Sequence, residues 1–132
     1  MNKFLNGLEL RSQTNINLIF ETESKLGAKF PSDYKELIVQ SNGAEGTVGN
    51  SYLQLWAIEE LVELNEGYAV KEFAEGLVIF GSDGGGTAYA FDTRYDKTTI
   101  VEVPFIGMHL DEITLCSDTF TGILRYLSSL SN

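Results

Sequence analysis

The run from Gly76 to Asp92 constrains this chain more than any other stretch. Leu77-Val78-Ile79-Phe80 and Thr87-Ala88-Tyr89-Ala90-Phe91 flank a turn with three successive glycines at positions 84–86. A glycine loop that cradles phosphate normally opens a helix, whose first amides hold the anion. Here Tyr89 and Phe91 alternate with alanines after the glycines, the period of a strand. The stretch therefore reads as strand, glycine turn, strand, a hairpin whose glycines take positive φ. No lysine follows the glycines, so the Walker A requirement fails, and no calcium-loop spacing of carboxylates surrounds Asp83. These features point away from nucleotide enzymes and toward binding modules.

Helical spacing dominates the flanks. Asn15 to Leu26 predicts a helix with Ile16, Ile19 and Phe20 on its buried face, extended by Glu23 or Leu26 and stopped by Gly27. Pro31-Ser32-Asp33 opens a second helix, with Asp33 and Glu36 at capping-box spacing. Its stripe is Tyr34, Leu37, Ile38 and Ser41, and Asn42-Gly43 stops it. Ala44 to Asn50 is glycine-rich and reads as a loop, and Ser51 to Trp56 as a short strand. Ile58, Leu61, Val62 and Asn65 mark one face of a third helix. Leu77–Gly81, Thr87–Thr93 and Thr98–Val103 are three strands joined by short turns, hence antiparallel. A last helix from about Ser117 carries Phe120, Ile123, Leu124 and Leu127 inward, and Leu130 continues it. The expected fold class is α+β: a single domain, 1–132 with its core at about 15–130, mainly an antiparallel sheet with helices packed against it.

The chain has 132 residues, of which 43% are hydrophobic, enough for one real core. No apolar run approaches the roughly 20 residues needed to cross a bilayer. The stretch Met1–Glu9 is too polar for a signal peptide, and the lone Cys116 allows no intrachain disulfide, so a cytoplasmic location is expected. Net charge is −10, and it is unevenly spread. Residues 36–70 carry Glu36, Glu45, Glu59, Glu60, Glu63 and Glu66 with no Lys or Arg. Residues 98–124 carry Glu102, Asp111, Glu112 and Asp118, again with no Lys or Arg. Nucleic acid and anionic membrane are poor partners for such a surface, whereas a basic protein suits it. A solvated acidic surface that only maintains solubility is the plainer alternative.

No constellation points to catalysis or to a metal. One His and one Cys cannot supply the four ligands of a structural zinc. His109 reads as a loop residue with no assignable nucleophile, and the nucleophile turn Gly-x-Ser-x-Gly is absent. Cys116 reads as a buried, inert thiol. Neither an enzymatic function nor a cofactor is expected. Trp56, the sole tryptophan, reads first as core and second as an anchor for a partner.

Three pieces of the sequence together resemble the SMI1/KNR4 family, also called the SUKH superfamily. The first is Phe30-Pro31-Ser32-Asp33-Tyr34-Lys35-Glu36-Leu37 with Ser41-Asn42-Gly43; the family's usual Leu is replaced by Phe30. The second is Leu55-Trp56 with the acidic helix ending near Asn65. The third is Phe80-Gly81-Ser82-Asp83-Gly84-Gly85-Gly86 with Tyr89-Ala90-Phe91-Asp92 and Val103-Pro104. The resemblance implies an α+β domain without catalytic residues. Many bacterial members are thought to be immunity proteins that neutralise polymorphic toxins, often nucleases or deaminases, and fungal members to be scaffolds in cell-wall regulation. The expected partner is thus a basic toxin domain. The candidate contact residues are Glu45, Trp56, Glu59, Glu60, Glu63, Glu66, Asp111 and Glu112. A small-ligand or regulatory module, with the glycine hairpin as a pocket wall, is the alternative. A self-pairing sheet edge would give a homodimer.

Overall fold

A computed structural model describes residues 7–130. Met1–Asn6, the first part of the polar N-terminal stretch, and residues 131–132 lie outside the described residues. The order is β1 (Leu8–Leu10), α1 (Ile16–Leu26), α2 (Ser32–Gln40), β2 (Ala44–Val48), β3 (Ser51–Leu55), α3 (Ile58–Gly67) and α4 (Val70–Phe73). Then come β4 (Leu77–Ser82), β5 (Thr87–Asp92), β6 (Thr99–Pro104), a 3₁₀ turn (Leu110–Glu112), β7 (Thr114–Ser117) and α5 (Phe120–Ser129). The strands form one antiparallel sheet in chain order, β1 to β7, with the helices packed on it. The fold is α+β, as the sequence predicts.

Three strands escape the sequence reading. β2 was expected to be a loop because of its glycines. Gly46 is instead where the β1 backbone crosses closest: a Cβ there would sit 2.1 Å from the Gly7 carbonyl oxygen, and its φ is 150°. The glycine admits the neighbouring strand, so it marks a strand rather than a break. β1 and β7 are three and four residues long. That is too short to show a period, and both are edge strands held by a single neighbour.

The central strands are buried along their whole length in β4, and in β5 from Ala88 onward. Successive side chains point to opposite faces, so such burial requires cover on both. β4 carries a bulge: Ile79 pairs with Ala90 and Gly81 with Tyr89, which leaves Phe80 as the extra residue. A bulge re-aims its side chain. Phe80 stacks on Phe91 at 4.4 Å, and Tyr34 meets Phe91 at 4.9 Å and Phe120 at 5.1 Å edge-on. These four rings, all fully buried, tie α2 and α5 to the sheet.

Helix ends follow local chemistry, with two corrections. In α1 the Asn15 side chain accepts from the Leu18 N–H at 2.9 Å, and Gly27 closes the helix at φ 69°. Its buried face is Ile19, Thr22 and Glu23, whereas Ile16 and Phe20 are exposed. The helix is rotated because Glu23 is tied inward, accepting from the Phe30 N–H at 2.6 Å and lying 3.6 Å from the Lys35 ammonium. In α2, Asp33 makes no capping box. Its Oδ1 accepts from the Tyr34 N–H, and its Oδ2 accepts from the Thr121 N–H of α5 at 2.9 Å. It therefore serves the first turn of another helix. α5 ends at Ser129, and Leu130 is exposed instead of continuing the stripe.

Ala57, which precedes α3, has no side-chain acceptor. Asn42 takes that role across the chain, its Oδ1 accepting from the Ile58 N–H at 2.7 Å, while Glu60 Oε1 accepts from the Ala57 N–H at 3.0 Å. Ser41 anchors β1 by accepting from the Arg11 N–H at 2.7 Å. The Ser41-Asn42-Gly43 stretch that stops α2 thus also starts α3.

Candidate functional site

A cleft of about 380 Å³ opens where β3, α3 and the glycine hairpin meet. Gln54, Leu55 and Trp56 come from the end of β3, Glu60 and Leu64 from one side of α3, and Tyr68 from just beyond it. Ser82, Gly84 and Gly85 form the hairpin wall, and Phe105, just after β6, and Arg11, just after β1, complete the lining. The Phe105 N–H donates to the Gly86 carbonyl at 3.0 Å, fixing the ring beside the hairpin. Its centroid lies 4.6 Å from that of Tyr68 and 6.4 Å from that of Trp56, near-parallel to the latter at 26°. Trp56 is 9% exposed and lines the cleft, so it belongs to the core and to the cleft wall.

The hairpin follows its predicted path but uses its glycines differently. Only Gly84 has positive φ, 81°. A Cβ on Gly84 would come within 2.9 Å of the Tyr52 ring, whereas one on Gly86 would meet nothing. Asp83 shapes the turn: its Oδ1 accepts from the N–H groups of Gly85 at 2.8 Å and Thr87 at 3.1 Å. The Gly84 N–H donates to Ser82 Oγ at 3.1 Å. Two amides that an anion would need therefore already have partners.

A polar chain runs from the hairpin to β2. Ser82 Oγ donates to Gln54 Oε1 at 3.0 Å, and Gln54 Nε2 donates to Glu45 Oε2 at 3.3 Å. The Tyr52 hydroxyl donates to the same Glu45 oxygen, and Arg11 Nη2 lies 3.3 Å from Glu45 Oε1. The Tyr52 bond, with Gln54 and Arg11 behind it, holds the Glu45 carboxyl below the usual range, and Tyr52 is raised in return. Glu45 is thus compensated inside the protein.

The structure sorts the other sequence-selected residues into three groups. Trp56 and Glu60 line the cleft. Glu59, Glu63 and Glu66 follow i, i+4, i+7 spacing and are exposed, on the side of α3 away from buried Ile58, Leu61 and Asn65. Glu59 accepts from Asn42 Nδ2 at 2.5 Å. Asp111 and Glu112 sit on the exposed 3₁₀ turn and make no hydrogen bond or ion pair with α3 among the described residues. The acidic residues of α3 therefore present two surfaces, one carboxylate to the cleft and three outward. Tyr68 and Phe105 were missed by the sequence reading. Phe105 follows the Val103-Pro104 pair, but nothing local shows that it meets Trp56.

His109 is exposed, and its Nδ1 accepts from the Asp111 N–H at 3.0 Å. Cys116 is half-buried, not fully buried, because it is the extra residue of a bulge in β7. Burial, with Glu102 nearby, pushes its thiol up to about 12. No helix among the described residues is long and apolar enough to cross a membrane. No group of three or more His, Cys, Asp or Glu is placed there to hold a metal ion.

The fold is that of a small α+β domain, with one carboxylate and three aromatic side chains lining its cleft. The SMI1 / KNR4 family (SUKH-1) model matches residues 14–125, and the chain belongs to that family. It is also similar to the uncharacterized protein YnaB of Bacillus subtilis (strain 168), 40% identical over 97 residues. That match covers 72% of this chain and 58% of the relative, so the chain spans little more than half of that protein's length.

Proposed function

We propose that this chain is a non-enzymatic protein-binding module of the immunity type. Its partner is a basic toxin domain that acts on nucleic acid or nucleobases, a nuclease or a deaminase, neutralised in the cytoplasm. The outward face of α3 carries this reading: Glu59, Glu63 and Glu66 are aligned and exposed on a helix without a single Lys or Arg. The net charge of −10 supports it, since complementary fields speed encounter and reject wrong partners. A nuclease offers a basic cleft for such a surface to cover. The same charge argues against nucleic acid or anionic membrane as the partner.

Co-expression with the toxin domain encoded beside its gene tests the proposal. Rescue of growth and a co-purifying complex are expected, with complex formation slowed by salt. The triple variant E59K/E63K/E66K is expected to lose both. Absence of rescue and of a complex rejects the proposal for that partner. A small-ligand or regulatory role is the second reading. The cleft beside Gly84 and Gly85 favours it, because ligand sites are concave and carry placed polar groups.

A further inference from the structure

We infer that the cleft is a subsite for one arginine side chain projecting from a protein partner. The inference deepens the proposed function and rests on it for the identity of the partner. The cleft offers three aromatic side chains, Trp56, Tyr68 and Phe105, within one small volume of about 380 Å³. That lies at the low end of the range for ligand pockets, about 300–1,000 Å³, and suits one long side chain. Ring faces attract cations, and a planar guanidinium stacks on them better than an ammonium does.

The polar groups select the sign of charge. The hairpin amides of Gly84 and Gly85 are bonded to Ser82 and Asp83, and Arg11 is paired with Glu45. An anion therefore finds no uncommitted amide on the hairpin wall, and the Glu45 carboxylate offsets the Arg11 charge. Glu60 differs. Its Oε1 accepts from the Ala57 N–H, while its Oε2 has no hydrogen-bond partner among the described residues. A carboxylate with one open oxygen beside three aromatic side chains fits a guanidinium, which brings several N–H donors and a flat face. Glu60 and Leu64 are one turn apart on the cleft side of α3, and Tyr68 follows at the same spacing at the helix C-cap, its N–H donating to the Leu64 carbonyl, so α3 and its cap set all three.

The test uses N-acetyl-arginine amide as the probe and emission of Trp56, the only tryptophan, as the readout on the full chain. A saturable change is expected, half complete in the millimolar range. N-acetyl-citrulline amide, the neutral isostere, should bind at least about ten-fold more weakly, since the cation–π and carboxylate terms both need the charge. E60Q keeps an acceptor for the Ala57 N–H and removes the charge; Y68A removes an exposed ring. Each should weaken arginine binding about ten-fold with an unchanged far-UV CD spectrum, while E59Q/E63Q/E66Q leaves it unaltered. Equal binding of citrulline, no saturable change, or indifference to both E60Q and Y68A overturns the inference. The two readings fail separately. A toxin complex lost in E59K/E63K/E66K but intact in E60Q and Y68A keeps the outward-face reading and overturns this one. Arginine binding without toxin rescue does the reverse.

Discussion

Asn65 is the point at which a single side chain holds two layers together. It is 7% exposed on the inner side of α3. Its Nδ2 donates to the Ile79 carbonyl at 2.9 Å and to the Leu61 carbonyl at 2.8 Å, and its Oδ1 accepts from the Ile79 N–H at 2.8 Å. β3 pairs with β4 only at Leu55–Gly81 and Gln54–Ser82, extended by the Trp56 N–H to the Phe80 carbonyl. The peptide groups of Ile79 would be the next to pair, and the Asn65 amide stands in for the missing strand. Asn65→Ala strands both of them in a buried position. An unsatisfied buried donor or acceptor costs about 1–3 kcal/mol, so the pair should cost about 2–4 kcal/mol, some of it recovered by relaxation or water. Against a total stability of about 5–15 kcal/mol, that is a large fraction. Urea unfolding followed by Trp56 emission and far-UV CD measures it. With an m-value of about 2 kcal/mol/M, the midpoint should fall by about 1–2 M at unchanged m. Glu66→Gln, on the exposed side of the same helix, should stay within about 0.5 kcal/mol of the parent. A cost below about 1 kcal/mol for Asn65→Ala would refute the view that the amide replaces a strand.

Other outcomes follow from the same geometry. Gly84→Ala should destabilise by about 1 kcal/mol or more, since it needs positive φ and approaches the Tyr52 ring; Gly86→Ala should be neutral, and thermal melts of the two separate the cases. The buried Tyr34 hydroxyl has no hydrogen-bond partner among the described residues, so Tyr34→Phe should be neutral or stabilising by up to about 1 kcal/mol in urea unfolding. Arg94 bonds both oxygens of the buried Asp92, at 2.9 and 2.8 Å, and holds its carboxyl below the usual range. A lowered folded-state value means stability that is present above the ordinary aspartate range and is lost as pH falls through the folded value. Arg94→Met should therefore be less stable near neutrality and lose less on acidification, as read from unfolding midpoints across the acid range. The Cys116 thiol, raised to about 12, should react with a disulfide reagent at pH 8 roughly a hundred-fold or more slower when native than when unfolded in urea, because the thiolate is the reactive form.

The parts of the fold that could be read from the residues are those written locally. The helix from Asn15 to Leu26, the Gly27 stop, the Tyr34–Leu37–Ile38 stripe and the alternation around the glycine turn all appear in the structure close to where spacing puts them. Misreadings arose where a distant contact overrides a local cue. Gly46 breaks a pattern in sequence but makes room for β1 in space. Asp33 has the spacing of a cap for its own helix yet bonds Thr121, on a different one. Phe20 has the period of a core residue, but Glu23 rotates the helix by its bond to Phe30, and Phe20 is left outside with Lys35 5.7 Å from its ring centroid.

The sequence by itself determined the α+β class, the family pattern, the hairpin and an acidic balance concentrated in two segments. Each depends on residue type and short-range spacing, which the chain carries without folding. Only the tertiary structure decided which carboxylates act together. Helix geometry and packing send Glu60 into the cleft and turn Glu59, Glu63 and Glu66 outward, and Arg11 offsets Glu45. It also brought Phe105 to Trp56 across 49 positions of sequence, at 6.4 Å. That contact exists because the Phe105 N–H is bonded to the Gly86 carbonyl and β3 ends on the Phe80 carbonyl. Such backbone bonds join residues far apart in the chain, and no local period encodes them.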